Sequence, residues 1–112
     1  MSPNDAIRVR HMIEAAETAR RFVAGRQRAD LDSDDMLLLA LVQAFQIVGE
    51  AASRISPETR TATSTIPWPR IVGMRDRLIH AYADIDREIV WRTATAEIPT
   101  LLPLLISLLP KN

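Results

Sequence analysis

Within eight residues, Arg75, Asp76, Arg77, Leu78, Ile79, His80, Ala81 and Tyr82, this chain sets an arginine, a histidine and a tyrosine at a spacing that suits phosphodiester chemistry without a metal. A guanidinium grips phosphate through a planar, two-pronged fork, and an imidazole takes and gives protons near neutral pH. Arg77, three residues before His80, shares its face on any helix that holds both and is a second candidate for gripping phosphate. Asp76 could orient Arg75 or His80. Each residue also has a plainer account. His80 could cap a helix end, the arginines could pair with Asp76, Asp84 or Asp86, and Tyr82, the only tyrosine, could be a half-buried packing residue. On one straight helix Arg75 and His80 would stand about 140° apart. They converge only if the helix ends near Ile79 and the chain turns, or if two copies face each other across a two-fold axis.

Helices must position these residues. Val9, Met12, Ile13, Ala16, Ala19 and Val23 recur at intervals of three and four, which predicts a first helix from about Asn4 to Ala24 with Gly25 as its stop. Asp32 or Ser33 can cap a second, from Met36 to Ala52, that is apolar nearly all round and belongs in the middle of a bundle. Glu50 is a charge within that apolar helix, which predicts a buried partner, an arginine of the central run among the candidates. Pro57, Pro67 and Pro69 punctuate a Ser/Thr-rich loop with one short turn. A third helix follows from Pro69 to about Ala81, a fourth, capped by Asp84 or Asp86, from about Arg87 to Glu97, and Pro99 starts or kinks the last. No sustained period-two alternation, glycine-rich phosphate loop or internal repeat is present. The expectation is an all-α, up-and-down bundle of four to five helices, in one domain spanning 1–112.

Composition removes several classes of function. Without cysteine there is no disulfide framework and no thiolate zinc site, and with no basic-then-apolar leader the expected compartment is the cytoplasm. The greasy segment Ile98–Leu109 is too short to span a bilayer, so no membrane association is expected. A formal net charge of zero argues against coating nucleic acid by bulk electrostatics. Cations are unevenly placed, though: six arginines in residues 1–28 face only Asp5, Glu14 and Glu17. Asp30, Asp32, Asp34 and Asp35 then reverse the sign. They resemble the start of a calcium loop, but Asp35 and Leu41 stand where that loop needs Gly and Glu, so helix capping and a solvated turn are the expectation and no metal is called for. His11, Trp68 and Trp91 read as structural.

Taken in order, IRVRHMIEAAETARRFVAG, IVGEAASRIS, IPWPRIVGMRDRLIHAYADID, VW and IPTLLPLL resemble the HepT-type toxins of the HEPN superfamily over nearly the whole chain. That branch carries R-x-x-x-x-H-x-Y, which falls on Arg75, His80 and Tyr82. Gly49-Glu50-Ala51, Pro67-Trp68 and Gly73-Met74 extend the match. The resemblance implies a helical, homodimeric, metal-independent ribonuclease that needs no cofactor and belongs to a toxin–antitoxin pair. It also implies an MntA-like minimal nucleotidyltransferase as antitoxin partner, moving AMP from ATP onto the motif tyrosine, here Tyr82. In that scheme His80 moves protons at the ribose 2′-hydroxyl or the leaving 5′-oxygen of RNA, and Arg75 stabilises charge on the phosphorus. Arg77, Asp76 and Glu50 are candidate supports of the site. The rival expectation is a HEPN module that binds nucleotides or a nucleotidyltransferase without cutting RNA.

Overall fold

The computed structural model describes residues 1–81 and 84–110, and within them the side chains of Arg75, Ile79, His80 and Ala81 are not described. Helix α1, Pro3–Val23, starts where the Ser2 hydroxyl accepts from the Asp5 N–H, with Pro3 in the first turn, and it ends before Gly25 at a φ of 72°. Glycine enters that left-handed region without a Cβ clash. Helix α2, Asp30–Ser33, is a single turn that seats Leu31 in the core. The long helix α3, Asp35–Ser53, extends one residue beyond the expected Met36–Ala52 at each end. Its cap is Asp34, not Asp32 or Ser33, with the carboxylate accepting from the Leu37 N–H.

α1 and α3 pack along their lengths and run antiparallel, since Asp5 at the start of α1 reaches Ser56 just beyond the end of α3. Val9, Met12, Ala16 and Ala19 face Leu41, Phe45, Val48 and Ala52 in one buried cluster. Pro57 opens the short α4, Pro57–Ala62, capped by Ser56. Trp68 is buried, and its indole N–H donates to Thr63 Oγ1 at 3.0 Å, which anchors the loop that feeds the central run.

The third helix departs from the expected single rod. It forms as α5, Trp68–Val72, and α6, Met74–Leu78, jointed at Gly73. The pieces share one buried face through Ile71, Met74 and Leu78. After Leu78 the chain leaves the helix. Strand β1, Ile79–Ala81, pairs antiparallel with β2, Asp84–Ile85, Ile79 opposite Ile85 and Ala81 opposite Asp84. The Asp86 N–H donates to the Leu78 carbonyl at 2.8 Å, taking an acceptor that a continuing helix would have used. Such a two-strand ladder leaves no period-two signature to read.

Asp86 caps α7, Arg87–Arg92, through the Ile89 N–H. A π-helical stretch, Thr93–Glu97, joins it to α8, Ile98–Ile106, so helical structure continues through Pro99. Proline cannot donate and crowds the carbonyl four residues back. One widened turn, in which the Ile98 N–H reaches Thr93, absorbs that conflict. The expected break is thus a bulge. By length and composition alone Asp35–Ser53 and Arg87–Ile106 would each reach across a bilayer, a test that core helices also pass. Core packing accounts for part of their apolar residues: Phe45, Val48, Val90, Ala94, Ile98 and Leu105 are fully buried, whereas Met36, Leu39, Ile47 and Ile106 are exposed. The fold is all-α, a compact helical bundle with one small ladder at the central run.

Candidate functional site

The fold places the central run on two different elements. Arg75, Asp76 and Arg77 belong to α6, and His80 belongs to β1. Tyr82 lies outside the described residues, as do the side chains of Arg75 and His80. The 140° separation of a straight helix therefore does not apply, because the helix has ended at Leu78. The same fact removes the argument that put Arg77 on the face of His80. Asp76 is exposed.

Arg77 does not simply close a local pair with Asp84 or Asp86. Its guanidinium donates to Glu97 Oε1 at 3.3 Å, on the π-helical stretch twenty residues on, and Arg70 Nε reaches the same oxygen at 2.7 Å. The Thr93 hydroxyl donates to the other oxygen, Oε2, at 3.2 Å. Glu97 is thus fixed from both sides. The π turn widens the helix at the stretch that carries Glu97 and Thr93, and the break at Gly73 lets α5 and α6 both approach it. Two cavities meet here. One, of about 330 Å³, has an apolar wall of Pro67, Ile71, Met74, Leu101 and Leu104. The other, of about 200 Å³, is lined by Arg77, Ile89 and Arg92, and Arg70, Ala96 and Glu97 border both. Arg92 is exposed and has no ion pair among the described residues.

Sequence reasoning missed Glu97, Arg70 and Arg92. The signals were there: Glu97 is the lone charge between Thr93 and Leu109, and Arg70 and Arg77 are seven residues apart, about two helical turns. Glu50 was assigned a buried partner, and that is overturned. It is exposed and pairs with Arg54 one turn on, at 3.0 Å. The 3.6-residue period turns Gln43, Ile47 and Glu50 outward together, so α3 is not apolar all round. Glu50 instead borders a groove of about 380 Å³ with Arg8, His11, Gln43 and Arg54, which makes exposed His11 a surface residue and not a packing one.

Among the described residues one carboxylate is buried in the core, Asp5, and it was not singled out at all. Asp5 accepts from the Ser56 N–H at 3.1 Å and from the Ser56 and Thr59 hydroxyls at 2.6 Å each. Burial pushes its pKa up, but the Ser56 and Thr59 hydroxyls and the Ser56 N–H outweigh that and hold the carboxyl below its ordinary value. At the other end of the α1–α3 pair, the Leu37 N–H and the Arg26 guanidinium hold Asp34 below the carboxylate range. No group of His and acidic side chains able to hold a metal ion occurs among the described residues.

Comparison with known proteins gives a consistent result. A family model described as ribonuclease HepT-like matches residues 12–108. A candidate RNase of Caldanaerobacter subterraneus subsp. tengcongensis is 37% identical over 91 residues, 81% of each chain. A protein described as a probable ribonuclease HepT, from Thermococcus cleftensis, is 34% identical over 88 residues, 79% of this chain and 80% of the relative. A candidate RNase of Methanocaldococcus jannaschii is 30% identical over 90 residues, 80% of this chain and 74% of its own. No solved structure matches significantly.

Proposed function

The chain belongs to the HepT-like ribonuclease family, and on that premise we propose that it is an endoribonuclease that cuts RNA without a metal, using Arg75 and His80. The observation that carries the reading is the family match across residues 12–108, which contains the whole Arg75-x-x-x-x-His80-x-Tyr82 pattern. The end of α6 at Leu78 supports it, because a helix followed by a turn lets the arginine and histidine approach from separate elements. His80 removes the proton from the ribose 2′-hydroxyl or supplies one to the departing 5′-oxygen. Arg75 stabilises the charge that gathers on the non-bridging oxygens as the 2′-oxygen attacks phosphorus. The products are a 2′,3′-cyclic phosphate and a 5′-hydroxyl. Asp76, Arg77 and Glu50 support the site at most from its rim.

The protein acts as one HEPN-type domain in a homodimer whose facing motifs complete each other's site, in the cytoplasm, as the toxin of a toxin–antitoxin pair. Its antitoxin is an MntA-like nucleotidyltransferase that places AMP on Tyr82. An adenylyl group two residues from His80 adds a negative phosphodiester and a bulky nucleoside at the mouth of the site, which excludes RNA by charge and by size. Neutral net charge favours the second reading, a nucleotide- or partner-binding module without cleavage.

Cleavage of total RNA decides between them. Wild-type protein cuts with EDTA present, and His80→Ala and Arg75→Ala are folded and inactive; cleavage by His80→Ala at the wild-type rate excludes this mechanism. Mixing the two inactive variants tests the shared site. If each site takes its arginine from one subunit and its histidine from the other, heterodimers regain one working site of two. If both come from one subunit, mixing restores nothing. Whole-protein mass spectrometry after incubation with antitoxin and ATP shows added AMP on wild type and none on Tyr82→Phe.

A further inference from the structure

We propose that the paired cavities around Glu97 form a subsite for the nucleotide next to the cleaved bond, with its phosphate on Arg70, Arg77 and Arg92 and its base in the apolar groove beside Leu104. The proposal rests on the ribonuclease reading and adds the residues that position its substrate. Arg70 and Arg77 share the Glu97 carboxylate and Arg92, without an ion pair among the described residues, lines the same cavity, so three guanidiniums face one carboxylate there on a chain of zero net charge. Immediately beside them the wall turns apolar, and Leu104 is 36% exposed. An anion joined to a flat, weakly polar ring is the ligand that such a pairing fits, and nucleic-acid strands are held by cations along the backbone and by apolar or aromatic contact with bases.

Position favours RNA over another occupant. Met74 lines the apolar cavity and Arg77 the charged one, and Arg75 lies between them in the same five-residue helix. The proposed subsite and the motif arginine are thus carried by the same short helix. Glu97 already engages two of the guanidiniums assigned to the phosphate. Its Oε1 holds Arg70 and Arg77 in readiness, while the Thr93 hydroxyl retains its Oε2, so an incoming phosphate competes for the guanidiniums with a carboxylate that stays nearby. The acid thus sets the arginines in place and limits how tightly RNA binds.

Fluorescence anisotropy with a short single-stranded RNA bearing 2′-O-methyl groups throughout, which cannot be cut, reads binding apart from chemistry. Arg92→Ala weakens this binding roughly three- to tenfold and lowers the salt slope by about 0.7 to 1, as expected for one lost phosphate contact. On cleavable RNA its KM rises by the same factor while kcat stays within about twofold, the split expected when binding is lost equally from ground and transition states. Glu97→Gln tightens binding roughly threefold or more, because a competing charge is gone while the shape remains. Arg10→Ala, at an exposed position of α1, is the control and moves neither Kd nor KM. Unchanged Kd and salt slope in both Arg92→Ala and Arg70→Ala overturn the subsite, as does failure of the wild type to bind the modified RNA. Loss of antitoxin binding with unaltered RNA affinity overturns it in favour of a protein-docking surface. Should Glu97→Gln fail to fold, Arg92→Ala and Arg70→Ala together decide. If the wild type binds the modified RNA with these mutational effects but cuts no RNA, the ribonuclease reading fails and the subsite stands.

Discussion

Asp5 shows how much one side chain can carry without advertising itself in a sequence. It sits in the first turn of α1, where an acid is favoured by the exposed N–H groups, and a helix-terminal aspartate would ordinarily be solvated. Here it is 3% exposed and ties α1 to the cap of α4 through Ser56 and Thr59. Asp5→Ala leaves those donors without their acceptor and should lower unfolding free energy by about 1–3 kcal/mol, read from urea denaturation. The pH dependence has a definite sign. A carboxyl whose folded pKa lies below its unfolded value contributes stability that is present above the unfolded value and is lost as pH falls through the folded one. Stability of the wild type should therefore decline as pH drops below about 4, and Asp5→Asn should show a shallower decline. Equal slopes in the two proteins would remove Asp5 from the acid response. By contrast, Glu50 looked important for being an acid in apolar company, and its exposure reduces it to a rim residue paired with Arg54.

At the scale of elements, the joint between α5 and α6 matters most for the site. Gly73 has an ordinary helical φ of −81°, and a Cβ there would meet the Pro69 carbonyl oxygen at 3.4 Å, a normal contact. The break is therefore not a demand of glycine geometry. Gly73→Ala should fold normally and gain about 0.4–1 kcal/mol by restricting the unfolded chain, measured by thermal or urea denaturation. A loss of more than about 1 kcal/mol would mean that the joint needs glycine after all. The other boundary is firmer. Asp86 closes the ladder through its N–H to Leu78 and starts α7 through its carboxylate to the Ile89 N–H. Asp86→Ala should cost about 1 kcal/mol through the lost cap. Because the same residue bounds the segment holding His80, cleavage should fall by more than that stability change explains. Amide exchange at Ile89 and Val90 would report the frayed start of α7. The sequence offered Asp84 or Asp86 as this cap, of which the structure uses Asp86, and it misread the preceding helix. Leu78 fits the helical period, and nothing in the local pattern says that its carbonyl is claimed eight residues later.

For the whole molecule, stability resides in the α1–α3 pair and the helices packed upon it. Phe45 is fully buried near the middle of α3, and Phe45→Ala should cost about 3–5 kcal/mol, a large share of what a domain of this size has to spare. Denaturation midpoints should fall accordingly, well beyond any change from removing exposed Met36 or Leu39. Sequence alone determined the helical class, the length and core face of α1, the central role of α3, a cap at Asp84 or Asp86 and the motif that identifies the family. Those are local or periodic properties: which side of a 3.6-residue repeat is apolar, which residue can cap, which types recur at fixed spacing. Tertiary structure decided the end of the third helix at Leu78, the passage of the last helix through Pro99, the burial of Asp5, the exposure of Glu50 and the meeting of Arg70, Arg77 and Arg92 around Glu97. The Asp5 and Glu97 contacts depend on partners twenty or more residues away and the end at Leu78 on an acceptor taken by another element, and no local pattern encodes the distance between residues that meet only once the chain has folded.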